Sequence, residues 1–371
     1  MKRFLILFVL LLFFFSCRGH AAEAEMENMV AIDEIEAKFE AISDTEAFSF
    51  VDTFQKLMRG DFSFDLKKIP EMISELFLNE LRQQKDMALQ ILIVAVASAV
   101  FSNFIKVFKS SQIADISFYM MYLLISTMLL RSFLSMNQIV VNTCKDILTF
   151  MEILLPSYLV TLVLSSGSLS AAGFYEVTLL GMNLLHVVVI KLLLPVIHLY
   201  LILLILNQMS EEDYFSKFAE LIETVVNWGL KSVTGLILGL QAVQCLVTPS
   251  VDSLKNSAMQ RLGKAIPGIG NMIDAAAETV AASAIVIKNA VGTTSILAIA
   301  AICLVPILKL STCILLFRFL CAAIQPVCEK RMVEGIDSIS RGTMMLLRIL
   351  LVSMLVFVLS IAMVTSAVKG G

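Results

Sequence analysis

From Met87 to Ala367 the chain alternates long apolar stretches with short polar breaks. The stretches Met87–Phe104, Ile113–Leu134, Pro156–Ala172, Phe174–Leu206, Trp228–Val247, Met272–Ala290, Thr294–Ala323 and Met344–Thr365 predict about eight membrane-crossing helices. Asn137–Phe150 is amphipathic and reads as a connector at the membrane interface. Phe174–Leu206 would be about 50 Å long as a helix, too long for one straight crossing, so a kink or break is expected at Pro195 or Lys191.

The breakers recur. Pro156, Gly181 and Pro195 return as Pro267, Gly292 and Pro306, each 111 residues later, and Ile113–Leu134 falls on Thr224–Cys245 at the same offset. The pattern predicts two three-helix units, 113–215 and 224–326, with a last span at 344–365. An outside start puts Lys106, Lys109, Lys255, Arg261, Lys264, Lys330, Arg331 and Arg341 inside and the Glu211 loop outside, which would make the two units inverted. Helix breaks are expected at Pro156, Pro195, Pro267 with Gly268 and Gly270, and Pro306.

Before the spans, Met1–Arg3 and the apolar Phe4–Phe15 read as a secretory signal over residues 1–21, with cleavage after Ala21. Ser16 and Cys17 also suit a lipoprotein signal, although Phe14 stands where Leu is usual. Residues 22–86 form an extracytoplasmic acidic region with 16 acids against 7 bases. Within it Ile35, Phe39, Phe50, Phe54 and Leu57 recur at helical spacing, broken near Gly60 and Pro70. The region reads as a solvated spacer or as a docking surface, and residues 87–371 form the membrane domain.

Composition sharpens the class. At 58% hydrophobic and 16% charged, the sequence is that of an integral, all-α membrane bundle, and a net charge of -3 gives no basis for nucleic-acid binding. None of the seven cysteines forms a Cys-x-x-Cys pair, and the three histidines are too scattered for a metal cluster. No hydrolase, phosphate-loop or dinucleotide motif is present, so no enzyme activity and no cofactor are expected.

What remains is polarity at depth. An ionisable side chain near the bilayer centre costs about 2.5–3.5 kcal/mol, so Glu176, Lys191, His198, Glu278, Lys288 and Asn289 are candidates to line a polar path, with Lys309 and Arg318 beside them. Lys191 and His198 share a helix face if Pro195 does not rotate the chain between them. The small-residue run Ser165, Ser166, Gly167, Ser168 to Gly173 suits either close helix packing or a path-lining turn.

At Ala171-Ala172-Gly173-Phe174-Tyr175, Ile266-Pro267, Lys288-Asn289-Ala290-Val291-Gly292 and Ala322-Ala323-Ile324-Gln325-Pro326, the chain resembles the stage III sporulation protein AE family of endospore-forming bacteria. The resemblance implies a multi-pass protein of the mother-cell membrane around the forespore. It would belong to a channel complex with other stage III sporulation proteins and a forespore partner, and a homo-oligomer stays open. Two functions follow: a component that forms or supports a solute path, or a non-conducting scaffold that anchors its partners. The family carries no catalytic residues to transfer.

Overall fold

The structure is a computed structural model that describes residues 32–42, 48–61, 68–107, 111–166, 170–210, 212–263 and 270–367. All regular elements among them are helices: α1 (Ile32–Ile42), α2 (Phe50–Arg59), α3 (Lys68–Val107), α4 (Ser111–Ser166), α5 (Ser170–Val187), a π-helical turn (Val188–Leu193), α6 (Leu194–Met209), α7 (Ser216–Gly263), α8 (Gly270–Ile324) and α9 (Lys330–Ala367). Ala21, Gly167, Ser168, Glu211, Pro267 and Gly268 lie outside the described residues.

The two amino-terminal helices form as their pattern predicts. Ser49 caps α2 by accepting the Asp52 N–H, and Gly60 ends it in the left-handed conformation at φ 73°, which only glycine adopts without strain. Ile35, Phe39, Phe50 and Phe54 are buried, and Phe39 and Phe50 meet Phe150 of α4 edge-on at 6.2 Å each. The Val51 N–H donates to Glu36, tying α1 to α2.

Among the described residues, six helical stretches are long and apolar enough to cross a membrane: Pro70–Phe101, Phe118–Thr161, Glu176–Met209, Ser216–Gln244, Ile285–Ile324 and Lys330–Thr365. The sequence reading of about eight divides stretches that lie here within continuous helices. The 56-residue α4, about 84 Å long, absorbs 113–134, 137–150 and the start of the Pro156 segment; the 55-residue α8 absorbs 272–290 and 294–323. Pro156 and Pro306 are therefore not helix breaks: both lie inside continuous helices. A proline removes one ladder bond, and Pro156 sits on an exposed face where the freed carbonyl is not walled in. The boundary at residue 86 also falls within a helix, since α3 runs from Lys68 to Val107.

Pro195 acts differently. The Leu194 N–H donates to the Val189 carbonyl five residues back, and this wide π turn makes room for a ring that would clash in an α turn. Seven α steps return to nearly the same face, but the widened turn sets the chain back by about one residue, roughly 100°. Lys191 and His198 consequently do not share a face: Lys191 is exposed, and His198 packs edge-on against Phe133 at 5.6 Å.

Fusion also changes the parity of the crossings. On α4, Tyr122 donates to the Ile205 carbonyl of α6 and abuts Gly335, Cys144 lies beside Ser353, and Tyr158 bonds Thr365. On α7, Glu223 meets Arg348 and Gln241 meets Ser360. Residue numbers rise together in each of these pairings with α9, so α4, α7 and α9 run parallel. The leading helices of the two expected units, α4 and α7, thus point the same way, where inversion needs opposite directions. Their boundaries do not repeat either: 111 residues after the gap 167–169 lies 278–280, inside α8, and 111 residues before the gap 264–269 lies 153–158, inside α4. The α6–α7 turn accordingly lies at the same end as Lys330 and Arg331, correcting its expected place on the opposite side; Arg331 stacks over Phe118 there.

The last helix is the centre. α9 packs on α4, α5, α6, α7 and α8, and Ile336, Ile339, Leu346, Ile349, Leu350 and Val356 are fully buried along it.

Candidate functional site

With α9 filling the middle of the bundle, the notable polar surface is on its flank. Thr127, Arg131, Ser135, Gln138, Asn142, Lys145, Thr149 and Glu152 of α4 are all exposed and spaced three or four apart, which places them on one helix face. The opposite face is buried through Phe133, Val140, Cys144, Ile147 and Leu154. The stripe spans 26 residues, about 37 Å along the axis, more than the ~30 Å of a bilayer core. Gln138 donates to Asn142 at 2.8 Å along it.

The next element extends the stripe sideways. Asn183 and Lys191 are exposed on α5 and the π turn, and half-buried His186 lies against the Cys144 backbone within electrostatic reach of Lys145, Glu152 and Lys191. Large apolar side chains are exposed beside it, Leu180 and Leu192 on α5 and the π turn, and Leu221, Val225 and Trp228 on α7, the last 70% exposed, with Thr224 and Lys231 exposed as isolated polar positions on α7. Acyl chains cannot solvate a face bearing Arg131, Lys145 and Glu152, so this face meets water or protein.

A second charged group lies between α7 and α9. Arg348 stands near the middle of the 330–365 stretch and reaches Glu223 at 3.3 Å, Asn227 at 3.2 Å and the Met344 sulfur at 3.8 Å. Arg348 and Glu223 keep 42% and 40% of their side-chain surface, so the pair is not sealed. Arg341 and Asp337 pair at 3.2 Å about two to three turns below, and the Tyr200 phenol of α6 is within electrostatic reach of all four charges.

Other polar contacts are dry and hold helices together. Gln241 donates to Ser360 at 2.8 Å beside Gly181, and Tyr158 meets Thr365, which in turn donates to the Ile361 carbonyl at 2.8 Å. Gly292 lets α8 approach there: a Cβ at this position would stand 2.5 Å from the Thr365 hydroxyl.

The residues expected from the sequence scatter. Glu176 and Lys191 are exposed beside the stripe, whereas Lys288 is buried to 1% exposure and Asn289 is half-buried. Lys309 lies 4.0 Å from Glu80, and Arg318 donates to Ser340 at 3.4 Å. Gly173 is exposed with open space about its Cα, so tight packing does not explain it, and its carbonyl accepts from Gln244 at 3.3 Å. Glu278, Ser165 and Ser166 belong to helices, but their side chains are outside the described residues; Gly270 opens α8. Sequence reasoning missed the α4 stripe and Arg348. The signal for the first was the 3–4 spacing of polar residues from Thr127 to Glu152, obscured by reading Asn137–Phe150 as a connector. Arg348 was hidden by starting the last span at Met344 rather than Lys330.

A family model described as Stage III sporulation protein AE matches residues 48–368. The chain is similar to Stage III sporulation protein AE of Bacillus subtilis (strain 168), 22% identical over 316 residues that cover 85% of this chain and 79% of that protein. No solved structure matches. Because the family match runs through all six helical stretches able to cross a membrane, this chain belongs to the stage III sporulation protein AE family.

Proposed function

We propose that the chain is the membrane-embedded part of a sporulation channel complex joining mother cell and forespore. In this reading it works non-catalytically in the mother-cell membrane around the forespore, beside other stage III proteins and opposite a forespore partner. Its contribution is a solute path that runs along the flank of the bundle, bounded by α4 on one side and by neighbouring subunits on the other. The observation that carries the reading is the unbroken exposed polar stripe from Thr127 to Glu152, long enough to cross the bilayer core. The apolar packing of α9 at the centre favours a flank path over one through the bundle.

The second reading, a non-conducting scaffold, draws on the same stripe, because a partner helix could cover those polar groups instead of water. Gln138→Cys treated with a membrane-impermeant thiol reagent during sporulation separates the two. A path predicts modification together with loss of late spore development; complete protection of the thiol in the assembled complex supports the scaffold.

A further inference from the structure

The charges along the α4 stripe are sorted by height. Arg131 and Lys145 are exposed and lie 14 residues apart, about 21 Å, with the neutral Ser135, Gln138 and Asn142 between them. His186 against the Cys144 backbone sets the register of the next element. Lys191, five residues further along, descends about 7 Å from that point and reaches the height of Gln138 and Asn142. Glu176, ten residues back, rises about 15 Å to the height of Glu152. The exposed charges of the central section are thus Arg131, Lys191 and Lys145, and the exposed acids, Glu152 and Glu176, stand together at one mouth. Asp146 is half-buried beside Lys145 and has its own electrostatic partners.

We propose that the central section of this face, between Arg131 and Lys145, selects for anionic solutes. The inference rests on the path reading above and adds the solute class. A narrow passage with low-dielectric walls concentrates the ion opposite in sign to its lining, and rings or stripes of fixed charge set selectivity in this way. Arg131 and Lys145 are separated by about two and a half times the ~8 Å screening length of physiological salt, so each acts as a local attractor rather than as one diffuse patch. Lys191 fills the interval from the facing element, and the π turn is what brings it there: the widened turn decouples Lys191 from the inward-facing His198. The acids at one mouth make the face asymmetric, so removing Glu152 eases approach from that end.

The test is the charge preference of thiol modification at Asn142→Cys in the full chain, within sporulating cells whose outer mother-cell membrane has been permeabilised. Rates are measured with a sulfonate-bearing and a trimethylammonium-bearing thiosulfonate, each normalised to its rate with a small free thiol. The expected result is a preference for the anionic reagent of roughly fivefold, reduced toward unity by Lys145→Gln or by Arg131→Gln and increased by Glu152→Gln. Thr149→Cys is the second reporter should Asn142→Cys fail to accumulate. Reaction with both reagents without anionic preference, or a preference untouched by either charge removal, overturns the anion inference and leaves the path standing. Silence of both reporters to both reagents removes the path itself, and the anion preference with it.

Discussion

At the scale of single residues, two glycines separate packing from openness. The ideal Cβ of residue 292 stands 2.5 Å from the Thr365 hydroxyl, whereas that of residue 173 has nothing within 4 Å. Gly292→Ala must push α8 from α9, and a loss of about 1–3 kcal/mol is expected as a lower melting temperature in detergent. Gly173→Ala, an exposed helical position, should be neutral or stabilising by up to about 1 kcal/mol in the same assay. Arg348 supports a second prediction. Being half-exposed, its pair with Glu223 is worth little more than a surface bridge, about 1 kcal/mol of coupling in a double-mutant cycle with Arg348→Met and Glu223→Gln. Coupling near zero would show that the 3.3 Å contact carries no energy. Residue-level chemistry was the least legible part of the sequence: the six polar candidates were found by rarity in apolar runs, which says nothing of facing. Lys288 went inside and Lys191 outside, and only the packing around each decides that.

Among the described elements, the α6–α7 turn is held by a carboxylate whose hydrogen bonds make its order pH-sensitive. Asn207 accepts the Phe215 N–H at 2.8 Å and donates to Asp213 at 2.8 Å, while the Ser216 hydroxyl donates to Asp213 at 2.7 Å. These bonds, Ser216 first and then Asn207, hold the Asp213 carboxyl below its ordinary range. Because the shift is downward, the ordering it supplies is complete above the ordinary carboxylate value and is lost as pH falls through the lowered one. The protection of the Phe215 amide, its exchange rate corrected for the intrinsic pH dependence of chemical exchange, should therefore fall on acidification into that range, and Asp213→Asn should show less protection at neutral pH with a flatter profile. Cys328, between α8 and α9, donates to the Ala95 carbonyl at 3.4 Å, and burial, with Glu329 beside it, pushes its thiol up. It should react slowly with thiol reagents at neutral pH. Element type was readable from apolar run length, but element number was not. The sequence reading trusted proline as a stop, and Pro156 and Pro306 ride inside helices whose neighbours tolerate the missing bond. Gly60, where the chain needs a positive φ, did stop its helix as expected.

For the whole molecule, the parity of crossings decides what the fold can do. Fusing two pairs of stretches turned an expected inverted pair of bundles into one bundle around α9, with parallel α4 and α7. A passage between symmetric halves gives way to a polar flank on α4. That membrane-bundle architecture was legible from composition, and the family from four short motifs; the location of the polar face proposed as a path was not, because it depends on which face of α4 the core leaves uncovered. The central claim is that water reaches this uncovered face across the bilayer. The direct measurement is a cysteine scan of residues 124–155 in the assembled complex, read by an impermeant thiol reagent. The account predicts peaks at positions 127, 131, 135, 138, 142, 145, 149 and 152, with protection at the buried positions 133, 140, 147 and 154 between them. Uniform protection from 127 to 152, or labelling without the three-to-four-residue rhythm, would contradict it.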